Sequence, residues 1–257
     1  MTMEKNIEKV ARLIGESSKI VVFTGAGVST ESGIPDFRSQ GGIWDRFDPA
    51  EFTYQSFVAS EENRKKRWKF YREMFKTFAD TEPNATHLAI AELETMGKLL
   101  AVITQNIDAL HQKAGNSPEK VIELHGTIEK VKCLDCGDLV SQESVSERLE
   151  QGEEAPYCRI CNGILKPATI SFGESMPMEE MRRAEKSVSE CDLCLCIGSS
   201  LVVYPAAQFP TMAKQRGAKL VVINREPTHA DSSADVVIHD LAGKTMSKIM
   251  SAVRGDR

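Results

Sequence analysis

The sequence predicts an α/β fold: a parallel sheet covered by helices on both faces, with a smaller inserted module that is partly helical and partly cysteine-rich. Three observations carry this expectation. Short apolar runs, such as Val21-Val22-Phe23, LLAVIT (99–104), DLCLCIG (192–198) and KLVVIN (219–224), alternate with amphipathic stretches. Continuous apolar runs are the mark of parallel strands buried on both faces. A glycine turn, Gly25-Ala26-Gly27, follows the first run at once. Two Cys-x-x-Cys pairs, Cys133/Cys136 and Cys158/Cys161, lie between the apolar runs.

The elements follow in order. Ile7, Val10, Ala11 and Ile14 share one face of a helix over 6–18. Residues 20–24 form the first strand. Gly25 and Gly27 have the spacing of the first two glycines of a dinucleotide fingerprint, but Thr30 stands where the third belongs. Gly33 and Pro35 oppose the helix that should follow. Residues 55–79 read as one long helix with the stripe Tyr71, Met74, Phe75 and Phe78, ended by Thr81-Glu82-Pro83-Asn84. A helix over 85–96, strands over 99–106 and 121–124, the cysteine-rich segment, and a strand over 192–200 come next. A helix over 205–216, strands over 219–224 and 234–239, and a closing helix over 242–254 complete the chain. The expected architecture is Rossmann-like. Residues 1–39, 81–126 and 166–257 supply the sheet layer, 40–80 a loop and helical insertion, and 127–165 a metal-binding insertion. No internal repeat is present.

Ligands of such sheets bind beyond the carboxyl ends of the strands. Those ends carry Thr24 to Gly27, Thr104 to Asp108, His125-Gly126, Gly198-Ser199-Ser200, Asn224-Arg225-Glu226 and His239-Asp240. Together they describe a polar pocket along one sheet edge. The two glycine-bearing ends are expected to let backbone N–H groups approach a phosphate. A hydride-transfer enzyme would place an acid at the end of its second strand, about 20 residues past the glycines. Asp45 and Asp48 fall in that window, yet nothing around them reads as a strand.

The cysteine pairs are separated by 21 residues. Thiolates so paired can share one tetrahedral zinc ion, and four of them close its shell, so a structural zinc ribbon is expected. Cys194 and Cys196 lie in an apolar run and read as small hydrophobes. Seven cysteines without a secretory pattern point to a reducing, cytoplasmic setting. The net charge of −5 argues against nucleic acid as a partner. The basic run Arg64-Lys65-Lys66-Arg67 reads as a solvated helix face. The longest apolar stretch, 193–207, is too short and too polar to span a bilayer. Of five histidines, His87, His111, His229 and His239 read as structural. His125 ends a strand at the pocket edge and reads as a general base.

GAGVSTESGIPDFR (25–38), TQNIDALH (104–111), LHG (124–126), the cysteine pairs, FGE (172–174), GSSL (198–201) and INREP (223–227) together resemble the sirtuins, NAD-dependent protein lysine deacylases. The matches run in family order from about residue 20 to residue 227. The resemblance implies that the segment after Gly27 is a mobile cofactor loop. Ala26, Ser29, Ile34 and Asp36 would shape the nicotinamide pocket, Phe37 would cover the ribose, and Arg38 would hold phosphate or the loop. Gln105, Asn106, Ile107 and Asp108 would contact ribose and carboxamide, with Asn106 and Asp108 counted as catalytic alongside His125. Gly25, Gly27, Gly198, Ser199 and Ser200 would meet phosphate and ribose. Asn224, Arg225 and Glu226 would meet the adenosine half, and Ala242 the adenine. The acyl-lysine peptide would lie extended between Phe172-Gly173-Glu174 and Leu201-Val202, by strand addition. Ile107, Ile170 and Phe172 would line the lysine tunnel. NAD would be consumed and one zinc ion held.

The resemblance further implies attack of the acyl-lysine oxygen on the nicotinamide ribose, with the acyl group passing to ADP-ribose. Met74, three residues past Tyr71, gives no cation for an acidic acyl group. Protein ADP-ribosyl transfer from the same NAD site is the alternative, and a zinc-ribbon binding module a third reading. A monomer is expected.

Overall fold

The structure, a computed structural model, describes residues 2–39, 41–45 and 48–256. Residues 40, 46 and 47 of the segment expected as loop and insertion lie outside the described residues.

Helix α1 (Met3–Glu16) buries the expected Ile7, Val10, Ala11 and Ile14, and strand β1 (Ile20–Thr24) is buried throughout. No α-helix follows Gly25. Two 3-10 turns, Ala26–Val28 and Thr30–Ser32, run into Gly33 at φ 93°. Residues 55–79 are not one helix. They divide into α2 (Tyr54–Ala59) and α3 (Glu61–Ala79) at Ser60, which is extended and accepts a hydrogen bond from Asn63 N–H. A serine N-cap restarts the chain there, a local signal that the apolar stripe hides. Next come α4 (Ala85–Thr95), β2 (Leu99–Thr104), α5 (Leu110–Lys113) and β3 (Val121–Glu123). The inserted module contains β4 (Gly126–Cys133), β5 (Leu139–Ser141), α6 (Gln142–Glu150) and β6 (Leu165–Thr169). The chain closes with α7 (Met178–Glu190), β7 (Leu193–Ile197), α8 (Phe209–Gln215), β8 (Lys219–Ile223), β9 (Val236–Ile238) and α9 (Ala242–Arg254).

Six parallel strands lie in the order β3-β2-β1-β7-β8-β9. The chain first winds outward from β1 to β3, then returns and winds the other way from β7. The reversal opens a crevice at the carboxyl ends of β1 and β7. One face of the sheet packs on α1, α4 and α9 through residues such as Ile14, Ile90 and Met246. The other packs on α7 and α8 through Val188, Phe209 and Ala213. Cys194 and Cys196 are fully buried in β7, and burial raises both thiols well above their ordinary range, so neither is a thiolate.

A third core joins α3 to the small antiparallel sheet β5-β4-β6. The basic run on α3 is only half a solvated face: Lys66 is exposed and Lys65 partly so, but its two arginines are not. Arg64 and Arg67, three residues apart, point inward and are buried. Arg64 donates to the carbonyls of Phe57 and Val58 and to Tyr157 Oη. Arg67 donates to the Glu51 carbonyl at 2.9 Å and stacks over the Phe52 ring. These guanidiniums tie α3 to its flanking segments, where carbonyls replace lost water.

The sulfurs of Cys133, Cys136, Cys158 and Cys161 lie within 4.8 Å of one another, with Cys133–Cys161 at 3.5 Å and Cys136–Cys158 at 3.8 Å. Tetrahedral zinc with bonds of about 2.3 Å requires sulfurs about 3.8 Å apart. The cluster therefore fits one zinc ion with a closed shell, joining the end of β4 to the turn before β6. Chelating the metal is expected to raise amide hydrogen exchange across 127–165 before the six-stranded sheet responds; unchanged exchange there after metal loss would contradict this. Gly126, at φ 73°, begins β4, and a Cβ on it would lie 2.0 Å from the Ala168 carbonyl oxygen. Gly126→Ala should cost about 2 kcal/mol or more of stability, measured by denaturant unfolding.

Candidate active site

The crevice between β1 and β7 is shaped by backbone meeting backbone. Gly27 N–H donates to the Gly198 carbonyl at 2.9 Å, and Gly25 N–H to the Ile197 carbonyl. A Cβ on Gly198, itself at φ 62°, would lie 2.5 Å from Val28 N, and one on Gly27 would lie 2.8 Å from the Gly198 oxygen. The N–H groups of Gly25 and Gly27 are thus not available to a phosphate. They are spent on the neighbouring turn, since parallel loops in van der Waals contact satisfy each other first. Ala26, Ser199 and Ser200 keep N–H groups with no partner among the described residues. These, not the glycines, are the donors that the crevice offers to an anion.

Past β2, the segment Gln105 to Asp108 folds across the crevice. Asn106 and Asp108 are buried. Asn106 Nδ2 donates to the Gly25 carbonyl and to Ser29 Oγ, both at 3.2 Å, and Ser29 Oγ donates to Asp108 Oδ2 at 2.7 Å. The other Asp108 oxygen accepts from Leu110 N–H. Burial outweighs these bonds and raises the Asp108 carboxyl above its usual range. Gln105 Nε2 reaches Ser199 Oγ at 2.9 Å, bridging the ends of β2 and β7.

His125 does not end a strand. It sits in the two-residue turn between β3 and β4, where Gly126 redirects the chain. Its Nδ1 lies 3.0 Å from the Gln105 carbonyl oxygen. A carbonyl can only accept, so Nδ1 carries the proton and Nε2 is left as the basic nitrogen. Burial lowers the pKa of His125, and the Gln105 bond offsets part of that effect. The residue is therefore a neutral base at neutral pH.

The remaining expected residues lie around this centre. Ile34 is buried in the same apolar cluster as Tyr71, against which Ile107 also packs. Asp36 accepts from the N–H groups of Arg38 and Ser39 and from Ser39 Oγ, a compact turn that carries Phe37. Arg225 Nη2 approaches Ser39 Oγ at 3.4 Å, and Asn224 Nδ2 donates to the Glu226 carbonyl. Ala242 opens α9, beside Gly243, whose N–H donates to Glu31 at 2.7 Å. Ile170 N–H bonds the His125 carbonyl at 2.8 Å, which fixes the next segment against the turn. Phe172 accepts from Tyr54 N–H, Gly173 from Gln55, and Glu174 pairs with buried Lys166 at 2.9 Å. Leu201 is buried at φ 55° while Val202 and Phe172 are exposed. The sequence places Thr24 and Thr104 at the pocket edge without giving them a role, and His87 and His111, read there as structural, are buried behind this site. Their polar type within apolar runs was the available signal.

The profile of the Sir2 family matches residues 25–205. An NAD-dependent protein deacetylase 1 of Bradyrhizobium diazoefficiens is 50% identical over 244 residues, covering 95% of each chain. A solved Sir2 enzyme, described for its mechanism and regulation, superposes with a TM-score of 0.89 at 44% identity, over 99% of this chain and 100% of that one. A Sir2 complex with p53 peptide and NAD+ superposes with a TM-score of 0.86 at 36% identity, over 98% of each. Matched across the glycine turns, the Asn106–Asp108 segment and the His125 turn, the chain belongs to the Sir2 family.

Proposed function

We infer that this protein removes acyl groups, acetyl foremost, from protein lysines at the expense of NAD. The observation that carries the reading is a basic His125 Nε2 held by its own backbone contact, at the edge of a crevice whose glycine contacts leave no room for a Cβ. The relatives' activity and a relative's complex with peptide and NAD+ support it. The residues present fit NAD: free N–H groups at Ala26, Ser199 and Ser200 suit a pyrophosphate, and buried Asn106 and Asp108 suit a carboxamide and ribose. When bound, NAD supplies the electrophilic ribose carbon and accepts the acyl group as nicotinamide leaves.

The protein's own groups do the rest. Asn106 and Asp108, cross-linked through Ser29, hold the ribose and carboxamide in place. Positioning supplies much of the rate, because an amide oxygen is a weak nucleophile. His125 Nε2 takes a proton from a ribose hydroxyl, and its fixed tautomer costs no rearrangement. Phe37 and the turn around Asp36 exclude water from the reacting centre. Asn224, Arg225, Glu226 and Ala242 face the adenosine half. The peptide lies extended between the rims at Phe172-Gly173-Glu174 and Leu201-Val202, and Ile107, Ile170 and Phe172 surround the lysine stem.

Mass spectrometry of an acetyl-lysine peptide with and without NAD tests the reading. Free lysine with one O-acetyl-ADP-ribose per turnover is expected, and His125→Ala should lower kcat by about 10² or more. NAD-dependent mass gain on protein without lysine release would point instead to ADP-ribosyl transfer. The active form of His125 is neutral, and burial lowers its pKa, so activity is kept as pH falls to the ordinary histidine value of 6.5 and is lost only below it. The acid limb of kcat/KM should therefore have its midpoint under 6.5. A midpoint above that value would remove His125 from its role.

A further inference from the structure

Behind the crevice lies a chain of buried polar groups that the reaction as described does not use. Asn106 N–H donates to Thr104 Oγ1 at 3.0 Å. Thr104 Oγ1 also accepts from Thr24 Oγ1 at 2.9 Å, and Thr24 Oγ1 lies 3.0 Å from His111 Nε2. All four residues are buried. A threonine hydroxyl has one hydrogen, and that of Thr24 is spent on Thr104. Thr24 therefore accepts from His111, which must carry its proton on Nε2 and leave Nδ1 bare. His87 is constrained from the opposite side. Its Nδ1 accepts from Asn84 N–H in the capping box of α4, so its proton also sits on Nε2.

Two atoms remain without a partner among the described residues: His87 Nε2, a donor, and His111 Nδ1, an acceptor. They belong to rings whose centroids are 5.1 Å apart at an interplanar angle of 60°. Unpaired buried polar atoms are costly, and each of these two is left unsatisfied. Burial lowers the pKa of His87 to about 4 and of His111 to about 3, so both rings stay neutral and both tautomers hold through neutral pH.

We propose that His111 is a positioning residue, locked in its Nε2–H tautomer beside His87, and that through Thr24 and Thr104 it holds the backbone of Asn106 in its working position. This rests on Asn106 being a working residue of the deacetylase reading above. The hydrogen-bonded chain runs from His111 to the N–H of Asn106, with the ring of His87 packed against its far end; the Asn106 side chain in turn meets Ser29 and hence Asp108. Apart from Asn106 itself, nothing in it touches substrate. Its effect is expected in kcat, with peptide KM unchanged, because it sets geometry at the reacting centre.

Two measurements test it on the full-length, zinc-loaded protein. In ¹⁵N-histidine NMR, His87 and His111 should both appear as neutral Nε2–H tautomers at neutral pH; His111 with its proton on Nδ1, or titrating at the ordinary histidine value, would overturn the proposal. In kinetics, Thr24→Val and His111→Phe should each lower kcat about tenfold, as outer-shell losses do. Thr24→Ser, which keeps the hydroxyl, should restore the rate. The double variant Thr24→Val/His111→Phe should lose no more than the worse single variant, since both break one chain; multiplied losses would overturn it. Should His111→Phe fail to fold, Thr24→Val and Thr24→Ser decide alone, since valine suits a buried strand. Asn106→Ala separates the two levels. Unchanged activity there would sink the role of Asn106 and the chain with it, whereas loss there with an intact Thr24→Val variant would sink the chain alone.

Discussion

The interlocking of two glycine turns, one after β1 and one after β7, is the contact on which the rest of the site depends. Strands brought together by opposite windings would ordinarily hold their loops apart by at least a side chain. Here Gly27 N–H meets the Gly198 carbonyl directly, and a Cβ on either residue would overlap backbone. The two turns are consequently in direct backbone contact, and the N–H groups in them left without a partner among the described residues are those of Ala26, Ser199 and Ser200. Ser29, Asn106 and Ser199 all take their positions from this contact, because each bonds a group on one of the two turns or on the segment that crosses them.

A second constraint is desolvation. Asp108 and His125 are pushed in opposite directions on the pH scale by the same cause, loss of water, and both move toward their neutral forms. For His125 that is the state a base needs. For Asp108 the shift is opposed by Ser29 and Leu110 N–H, with a smaller contribution from the charge of Lys113. Glu123, two residues from His125, is pushed up to about 7 by burial as well. Loss of water thus acts on the ionisable groups on both sides of the β3–β4 turn.

The inserted module is tied to this centre by an apolar core that includes Ile34, Ile107 and Leu110, and by hydrogen bonds. Ile170 N–H bonds the His125 carbonyl, Phe172 pairs with the segment that opens α2, and Lys166 anchors Glu174. The zinc-binding cysteines stand at the far end of the same small sheet. Metal binding therefore holds the far end of this sheet, away from Asn106, Asp108 and His125. Among the described residues, no helix is long and apolar enough to cross a membrane.

Much of this was legible in the chain. Apolar runs of five or six residues marked the parallel strands, and doubled Cys-x-x-Cys spacing marked the metal cluster, because both signals are local and period-bound. The closing helix over 242–254 and the buried face of α1 followed from periodicity alone. Other features had no local signature. Arg64 and Arg67 looked solvated because charge predicts exposure until a partner segment supplies carbonyls to bury against. The division of 55–79 turned on one serine hydroxyl competing with a continuous apolar stripe. The loss of the glycine N–H groups to a neighbouring turn, the tautomer of His125, and the line from His111 to Asn106 all join residues distant along the chain. Composition and spacing determine which chemistry is available to this protein. Tertiary structure decides which donors and acceptors remain unspent, because hydrogen-bonding capacity is exhausted by whatever the fold brings closest.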